Sequence, residues 1–378
     1  MKGDTMNTTI INPAPGSVME PIRADLYERF IAFIDRPGKT AATYLINLRQ
    51  FAAWAAYRGI QAPQRADIIA YRDYLIHEHE AVKMDPCSPA GWTYRTDRAG
   101  RPLKITCSPS TAAQYLRTVC MFFRWTAAEG IYPNVADNIH APKVSNDNHK
   151  KEALPAAAVC RVAAVIDNAA AEKVAAADQA RKDPAGRHQR ATEQGQRLHA
   201  MYLLAVTAGL RTVELSRANV ADLETIDGVT YLYIHGKGRS QADQKKALAA
   251  DVASAVREYL STRSDGAPAS SPLFVSTGNR SGGRRIASTT ISKMIKQALQ
   301  GAGYDSKRLT AHSLRHTAGM AAMTATGKNV YLTQQYMRHA SPATTEIYLH
   351  CDNTRDELRT AEQILTYYHS AGMQAAAV

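Results

Sequence analysis

Apolar residues recur every three to four positions over much of the chain, which is the spacing of one face of an α-helix. The clearest stretch is SPSTAAQYLRTVCMFFRWTAAEG, which closes at Gly130. Its apolar stripe consists of Ala112, Tyr115, Leu116, Val119, Phe122 and Phe123. Three more stretches of this kind, LYERFIAFI, KTAATYLINLRQFAAWAAYRGI and ADIIAYRDYLIHEH, precede it. The first part of the chain is therefore predicted to be a bundle of about four helices.

The second part of the chain mixes helical periodicity with short alternating runs. GVTYLYIHG and SPLFVST alternate like strands, whereas STTISKMIKQALQGAG and the residues after it are helical. The predicted fold class is mainly α with a small β-sheet, as a helical-bundle domain followed by an α+β domain. The predicted divisions are a flexible leader at 1–20, the bundle at 21–144, a polar linker at 145–155 and the second domain at 156–378, with a tail at 352–378.

Two segments interrupt these patterns and are interpreted as insertions. Residues 85–107 are rich in Pro, Gly and cations and predict a hairpin about the turn at Ala99 and Gly100. A DNA-facing surface and a solvated hairpin are both compatible with its cations, which are Arg95, Arg98, Arg101 and Lys104. Residues 182–197 are predicted to be an exposed excursion.

The chain carries a formal charge of +12 and has a pI near 9.4. Such an excess of cations favours a polyanionic partner, most simply nucleic acid, because displacing counterions from phosphates strengthens association. Membrane surfaces and RNA would also be served by this charge.

Cysteine usage and hydropathy indicate an intracellular protein. No CxxC pair occurs among the five cysteines, and reduced thiols are favoured, although Cys87 and Cys107 flank one loop and a bridge between them is an alternative. There is no apolar run long enough for a secretion signal or a membrane span. A cytoplasmic, nucleoid-associated location without a membrane partner is expected.

Two motifs in the second half each expose a single cation. In TAGLRTVEL, Arg211 precedes a new helix, so its guanidinium and the positive helix end can face one anion, although surface pairing with Glu214 is an equally good interpretation. In IHGKGRSQ, the glycines on both sides of Lys237 predict a tight turn that presents the ammonium group, or simply a hairpin connection.

Two further motifs place histidine beside arginine and tyrosine. In TAHSLRHTAG, His312 and Arg315 share one helix face, which is costly in an apolar segment unless both point at an anion. In MRHASPATTEIYLH, His339 precedes a turn and Tyr348 follows about two turns into a helix that is predicted to be capped by Ser341. Core packing of the Tyr348 ring is an alternative, and two other tyrosines, Tyr331 and Tyr336, are rival nucleophiles.

Taken in order, these motifs resemble the tyrosine recombinases of the phage-integrase family. The family's first arginine box resembles TAGLRTVEL, its β-turn lysine falls on Lys237, its second box on HSLRH, and its closing motif on RHASPATTEIYLH. The resemblance implies that the helical first half is a core-site DNA-binding domain and that the second is catalytic. Arg338 stands where the family usually has glycine, which implies either an extra phosphate contact or an altered turn.

The resemblance implies site residues for phosphodiester exchange through a 3′-phosphotyrosine. Tyr348 would be the nucleophile and Lys237 the general acid. Phosphate-binding roles would fall to Arg211, Arg315, His312 and His339. Because the phosphotyrosine conserves the energy of the broken bond, no cofactor and no metal ion are expected.

The expected partners are double-stranded DNA and three further copies of the chain, as a tetramer on paired sites, with an accessory DNA-bending or directionality protein as an option. The host process is expected to be integration or excision of a mobile element. Chromosome-dimer resolution of the Xer type, DNA relaxation of the topoisomerase IB type and a catalytically inactive DNA-binding regulator are the alternatives. The tail at 352–378 is expected to pack on a neighbouring protomer or on its own domain.

Overall fold

The computed structural model divides the chain into two compact units, Met1–Asn148 and His149–Val378. The structure describes residues 25–34, 38–143, 152–236, 244–278 and 282–349. The predicted leader, most of the predicted linker, Lys237 and the predicted tail lie outside these residues. The predicted fold class, mainly helical with small sheets, is confirmed. In the described part of the chain, the helices are all too short or too polar to cross a lipid bilayer.

The first unit is built on four helices, as the apolar stripes predict. They are α1 Asp25–Phe33, α2 Lys39–Tyr57, α3 Arg65–Ile76 and α4 Pro109–Ala128. Ser108 caps α4 by accepting a hydrogen bond from the Thr111 backbone N–H, and Pro109 takes the first turn, where its missing N–H costs nothing. Aromatic rings fill the core between these helices, among them Phe51, Trp54, Tyr71, Phe122 and Phe123.

Two pairs of short antiparallel strands lie between α3 and α4. Strands β1 His79–Glu80 and β4 Lys104–Ile105 form one pair, and β2 Val82–Met84 and β3 Trp92–Tyr94 form the other. The predicted turn is present, since the Gly100 N–H donates to the Asp97 carbonyl oxygen. Cys87, between β2 and β3, and Cys107, just after β4, are both free thiols.

The described part of the second unit consists of helices and a three-stranded antiparallel sheet. The helices are α5 Ala156–Asp178, α6 Pro184–Val206, α7 Thr212–Arg217, α8 Ala250–Ser261, α9 Ser288–Gly301, α10 Ala311–Ala325, α11 Val330–Met337 and α12 Ala343–Glu346. The strands are β5 Leu223–Ile226, β6 Val229–Ile234 and β7 Gln244–Ala247, in the order β5-β6-β7. The register pairs Leu232 of β6 with Leu223 of β5 on one side and with Lys246 of β7 on the other. These three side chains therefore lie on the same face of the sheet.

The predicted excursion at 182–197 is wrong in conformation, because residues 184–197 form the first part of the regular helix α6, although most of residues 182–190 are exposed as predicted. The Asp183 carboxylate caps the helix by accepting from the Gly186 N–H, and Pro184 stands in its first turn. Glu193 and Arg197, which lie in the second half of this segment, are both buried. Arg197 donates to the Val275 carbonyl oxygen at 2.5 Å, so a buried polar contact explains the charge.

The helix predicted to start at Ser341 and to carry Tyr348 two turns in is also not what the structure has. Helix α12 is a single turn that ends at Glu346, and Tyr348 follows it. The Tyr348 N–H donates to the Thr345 carbonyl oxygen at 3.0 Å. The tyrosine is therefore positioned by a turn and by side-chain packing more than by a long helix.

Candidate active site

Arg315, on α10, joins the backbones of two distant segments through one buried side chain. Its Nη1 donates to the Gly209 carbonyl oxygen and its Nη2 to the Met337 carbonyl oxygen, both at 2.5 Å. Gly209 lies two residues before Arg211, and Met337 lies two residues before His339. A single guanidinium thus fixes the two segments that carry the predicted arginine and histidine.

The surroundings of Arg315 disfavour the charged form of its guanidinium. Burial first, and the nearby Arg211 second, lower the pKa of Arg315 to about 10. The guanidinium therefore remains charged at neutral pH, but it is poorly solvated and close to another cation. Such a pair is stabilised by an anion that approaches both groups.

Glu214 is buried between two guanidiniums. Its Oε1 accepts from Arg211 Nη1 at 2.8 Å, and its Oε2 accepts from the Arg211 backbone N–H at 2.9 Å and from Arg338 Nη2 at 2.8 Å. Burial alone would raise the pKa of this carboxyl, but Arg338 and Arg211 outweigh it and lower the pKa. Glu214 therefore stays ionised and holds the Arg211 guanidinium in place from a buried position, whereas the sequence left a surface pairing of these two residues open.

His339 is a buried neutral imidazole. Its Nδ1 lies 2.9 Å from Thr345 Oγ1. Burial first, and then Arg315 and Arg211, lower the pKa of His339 to about 4. At neutral pH the ring therefore contributes hydrogen bonds and no charge.

Tyr348 is buried against α10. It is only 5% exposed, and its ring centroid lies 5.1 Å from that of His316 and 6.0 Å from that of His339. Its phenolate form would interact electrostatically with Arg315, which brings the predicted nucleophile into the field of the predicted phosphate-binding group. The helix offers room for the ring because residue 319 is glycine.

An open cavity of about 630 Å³ lies beside these residues. Arg211, His312 and Arg315 line it together with two lysines that the sequence motifs did not suggest, Lys293 and Lys296. Lys296 also donates to the Ser306 carbonyl oxygen at 2.9 Å, which fixes its ammonium group. Lys296 is also paired with Asp305 at 3.3 Å, and Arg211 with Glu214, so Arg315 and Lys293 supply the excess positive charge of the wall. This excess suits a phosphate-bearing ligand.

The structure thus brings together five of the six predicted site residues, and the sixth, Lys237, lies outside the described residues. The rival tyrosines are placed differently. Tyr331 is 64% exposed, and the Tyr336 hydroxyl donates to the Thr207 carbonyl oxygen at 2.9 Å.

One buried cation near the site was missed from the sequence. Lys246, on β7, is 6% exposed, and its Nζ donates to the Tyr336 carbonyl oxygen at 2.7 Å. Burial first, then Arg338 and Arg315, lower its pKa to about 7. The alternation of β7 could have indicated an inward side chain, but a lysine there reads as a surface residue. Across the described ranges, the His, Cys, Asp and Glu side chains form no group of three or more that could hold a metal ion.

Comparison with known sequences identifies the family of this region. Residues 185–355 match the model of the phage integrase family. A tyrosine recombinase of Synechococcus elongatus is 30% identical over 170 residues, which is 45% of this chain and 51% of the relative. XerC of Caldanaerobacter subterraneus is 29% identical over 161 residues, 42% of this chain and 43% of the relative, and XerD of Brucella melitensis is 26% identical over 250 residues, 64% and 72%. The chain spans about half the length of the first two relatives.

Comparison with solved structures supports the same fold. A lambda integrase dimer bound to a COC′ core site superposes with a TM-score of 0.53 at 18% identity, over 87% of this chain and 77% of that one. XerH bound to a palindromic difH substrate, in a post-cleavage complex, superposes with a TM-score of 0.52 at 21% identity, over 67% of each chain.

Proposed function

Because residues 185–355 form a domain of the phage integrase family, the tyrosine recombinases, we propose that this protein is a site-specific DNA recombinase. It cuts and rejoins DNA strands through a 3′-phosphotyrosine intermediate. The relatives named above are recombinases by description, and the cationic cavity of this chain supports the same substrate class, a DNA phosphodiester.

The observation that carries this proposal is the Arg315 clamp. One guanidinium holds the backbone next to Arg211 and the backbone next to His339, and its charge is coupled to Tyr348. Arg211 and the buried Arg315 line one cavity, and Tyr348 lies in the field of Arg315. Phosphoryl transfer requires such cations near the nucleophile, because the transition state gathers negative charge on the equatorial oxygens.

Phosphate binding falls to groups on three elements. Arg211 and Arg315 donate to the non-bridging oxygens, with Glu214 holding Arg211 in place. His312 lines the same cavity and donates a hydrogen bond to a non-bridging oxygen. His339, neutral at pH 7, hydrogen-bonds the same phosphate or receives the phenol proton.

The chemical step exchanges one phosphoester for another. The Tyr348 hydroxyl loses its proton and its oxygen attacks phosphorus, which forms the bond to the 3′ phosphate and breaks the bond to the 5′ oxygen. The departing 5′ oxygen takes a proton, for which Lys237 is the proposed donor. A 5′-hydroxyl from a second duplex then reverses these steps and completes strand exchange.

A test of the proposal uses covalent capture. Wild type and Tyr348→Phe are incubated with nicked duplexes that carry the element's own end sequence, and protein joined to DNA is separated on a denaturing gel. Wild type should form the adduct, whereas Tyr348→Phe should bind the duplex without joining it. An adduct that persists in Tyr348→Phe would assign the reaction to another residue, and Tyr331→Phe and Tyr336→Phe are the matched controls.

The proposed partners are double-stranded DNA and three further copies of the chain on two paired sites. The tail at 352–378 is proposed to pack on a neighbouring protomer. Its removal should weaken pairing of two sites more than binding to one site, as measured by gel shifts with one-site and two-site DNA. Equal losses in both assays would contradict this role.

The proposed host process is integration or excision of a mobile element. Its support is the segment of two strand pairs between α3 and α4, which is interpreted as an insertion. The other segment interpreted as an insertion gives no support, because residues 184–197 belong to the regular helix α6. Recombination in cells between the two ends of the element that encodes the protein should be efficient. Activity confined to chromosome-terminus sites, or relaxation of any supercoiled plasmid, would contradict it.

A further inference from the structure

Arg338 occupies a backbone position that does not suit an arginine. It ends α11 with φ 54° and ψ 49°, in the left-handed region where glycine is the usual residue. A residue with a Cβ is strained there. The Gln335 and Gln334 carbonyl oxygens accept from the backbone N–H groups of residues 338 and 339, which almost any residue would supply. The turn itself therefore gives no reason for an arginine.

The side chain is buried and only partly paired. It is 7% exposed, and its Nη2 donates to Glu214 Oε2 at 2.8 Å. Its Nε and Nη1 are shielded from solvent and have no hydrogen-bond partner among the described residues. Unpaired N–H groups on a buried cation are unfavourable, and they indicate an acceptor that arrives with a ligand.

The surrounding charges make that acceptor an anion. Glu214 carries one negative charge between Arg211 and Arg338, so this trio retains a net positive charge. Arg315 and Lys246 also interact electrostatically with Arg338, and Arg315 remains a cation at neutral pH. Nothing in the described surroundings balances this excess.

We propose that Arg338 is a third phosphate-binding guanidinium, whose Nη1 donates to a non-bridging oxygen of the DNA phosphodiester held by Arg211 and Arg315, while Nη2 stays on Glu214. The inference rests on the proposed function, and it favours the extra phosphate contact over the altered turn, the two roles that the resemblance leaves open for Arg338. The guanidinium of arginine allows this division, because its two terminal nitrogens carry separate N–H groups, so Nη2 can bind a carboxylate while Nη1 donates to a phosphate.

The test compares two variants on two substrates. Arg338→Gly removes the guanidinium and relieves the strained backbone, and Arg338→Lys keeps a charge without the fork. The substrates are nicked duplexes with an ordinary phosphodiester or with a neutral methylphosphonate at the cleavage position, and the rate of adduct formation is measured in single turnover. The thermal midpoint of each protein is measured in parallel.

Arg338→Gly should slow adduct formation on the phosphodiester by about tenfold or more, as expected for one lost charge-assisted hydrogen bond. On the methylphosphonate, which lacks the charge that Arg338 meets, its rate should approach that of wild type. On the phosphodiester, the rate of adduct formation by Arg338→Lys should lie between the rates of wild type and Arg338→Gly. A change in the thermal midpoint of Arg338→Gly cannot cause the expected difference between the two substrates, because both are tested with the same protein.

Equal slowing on both substrates would overturn the proposal, since it would show that Arg338 acts on the fold or on Glu214 alone. Unchanged rates on the phosphodiester would overturn it as well. If wild type forms no adduct through Tyr348, the proposed function itself fails, and this result is distinct from either outcome.

Discussion

The ring of Tyr348 lies in the space that a side chain at residue 319 would need. A Cβ built on Gly319 would stand 2.3 Å from Tyr348 Cζ and 2.6 Å from its hydroxyl oxygen, far closer than atoms pack. Gly319 is in the middle of α10, where glycine is otherwise unfavourable. Its presence is therefore explained by the tyrosine that rests on it.

Replacing Gly319 by alanine should displace Tyr348. We expect Gly319→Ala to lower the thermal midpoint and to slow adduct formation at least about tenfold, even though alanine favours the helix by about 1 kcal/mol. Differential scanning calorimetry and the denaturing-gel assay measure the two effects. In a Tyr348→Ala background the same change should leave the midpoint equal or raise it. A loss of stability of the same size in both backgrounds would show that Tyr348 is not what excludes the side chain.

The ion pairs of Glu214 predict a specific dependence of stability on pH. Glu214→Gln should lower the free energy of unfolding by roughly 3 kcal/mol at pH 7, because it leaves Arg338 buried without a counter-charge. Since the pKa of Glu214 is lowered on folding, its contribution is complete above the ordinary value of 4.5 and is lost as the pH falls through the lower folded value.

Urea unfolding at several pH values measures this difference. The gap between wild type and Glu214→Gln should be constant from pH 8 to about 5 and should narrow below about 4.5. Glu172→Gln, on the exposed face of α5, is the control and should match wild type. A gap that is absent at pH 7 would mean that the two arginines do not depend on this carboxylate.

The imidazole of His339 should titrate far below the usual range. Its pKa of about 4, caused first by burial and then by Arg315, predicts that NMR of the ring protons shows a midpoint near pH 4 instead of 6.5. Because the folded pKa is lowered, wild type should lose stability relative to His339→Gln as the pH falls from about 6.5 to about 4, and the difference should not change above 6.5. A midpoint near 6.5 would contradict the buried neutral state.

The motifs predicted more of the site than of its surroundings. Arg211, Arg315 and Tyr348 could be chosen because a nucleophile and cations in a fixed order leave few alternatives. The excursion predicted at 182–197 is instead mostly part of α6, where the buried Arg197 donates to the Val275 carbonyl oxygen, a contact that sequence periodicity does not reveal. Gly319 and Lys246 were missed for the same reason: their roles depend on residues distant in sequence, Tyr348 and Tyr336.

Arg315 should not be replaceable by lysine. A single ammonium group cannot donate to both the Gly209 and the Met337 carbonyl oxygens in the geometry of a planar fork, so the two segments should separate. We expect Arg315→Lys to lower the thermal midpoint and to reduce adduct formation by about a hundredfold, the loss expected for roughly 3 kcal/mol of buried charge-assisted bonding. The control is Arg308→Lys, at an exposed position just before α10. It has the same amino-acid composition as Arg315→Lys and should behave as wild type. Full activity in Arg315→Lys would show that positive charge alone is sufficient at this position, and the clamp would then have no part in the reaction.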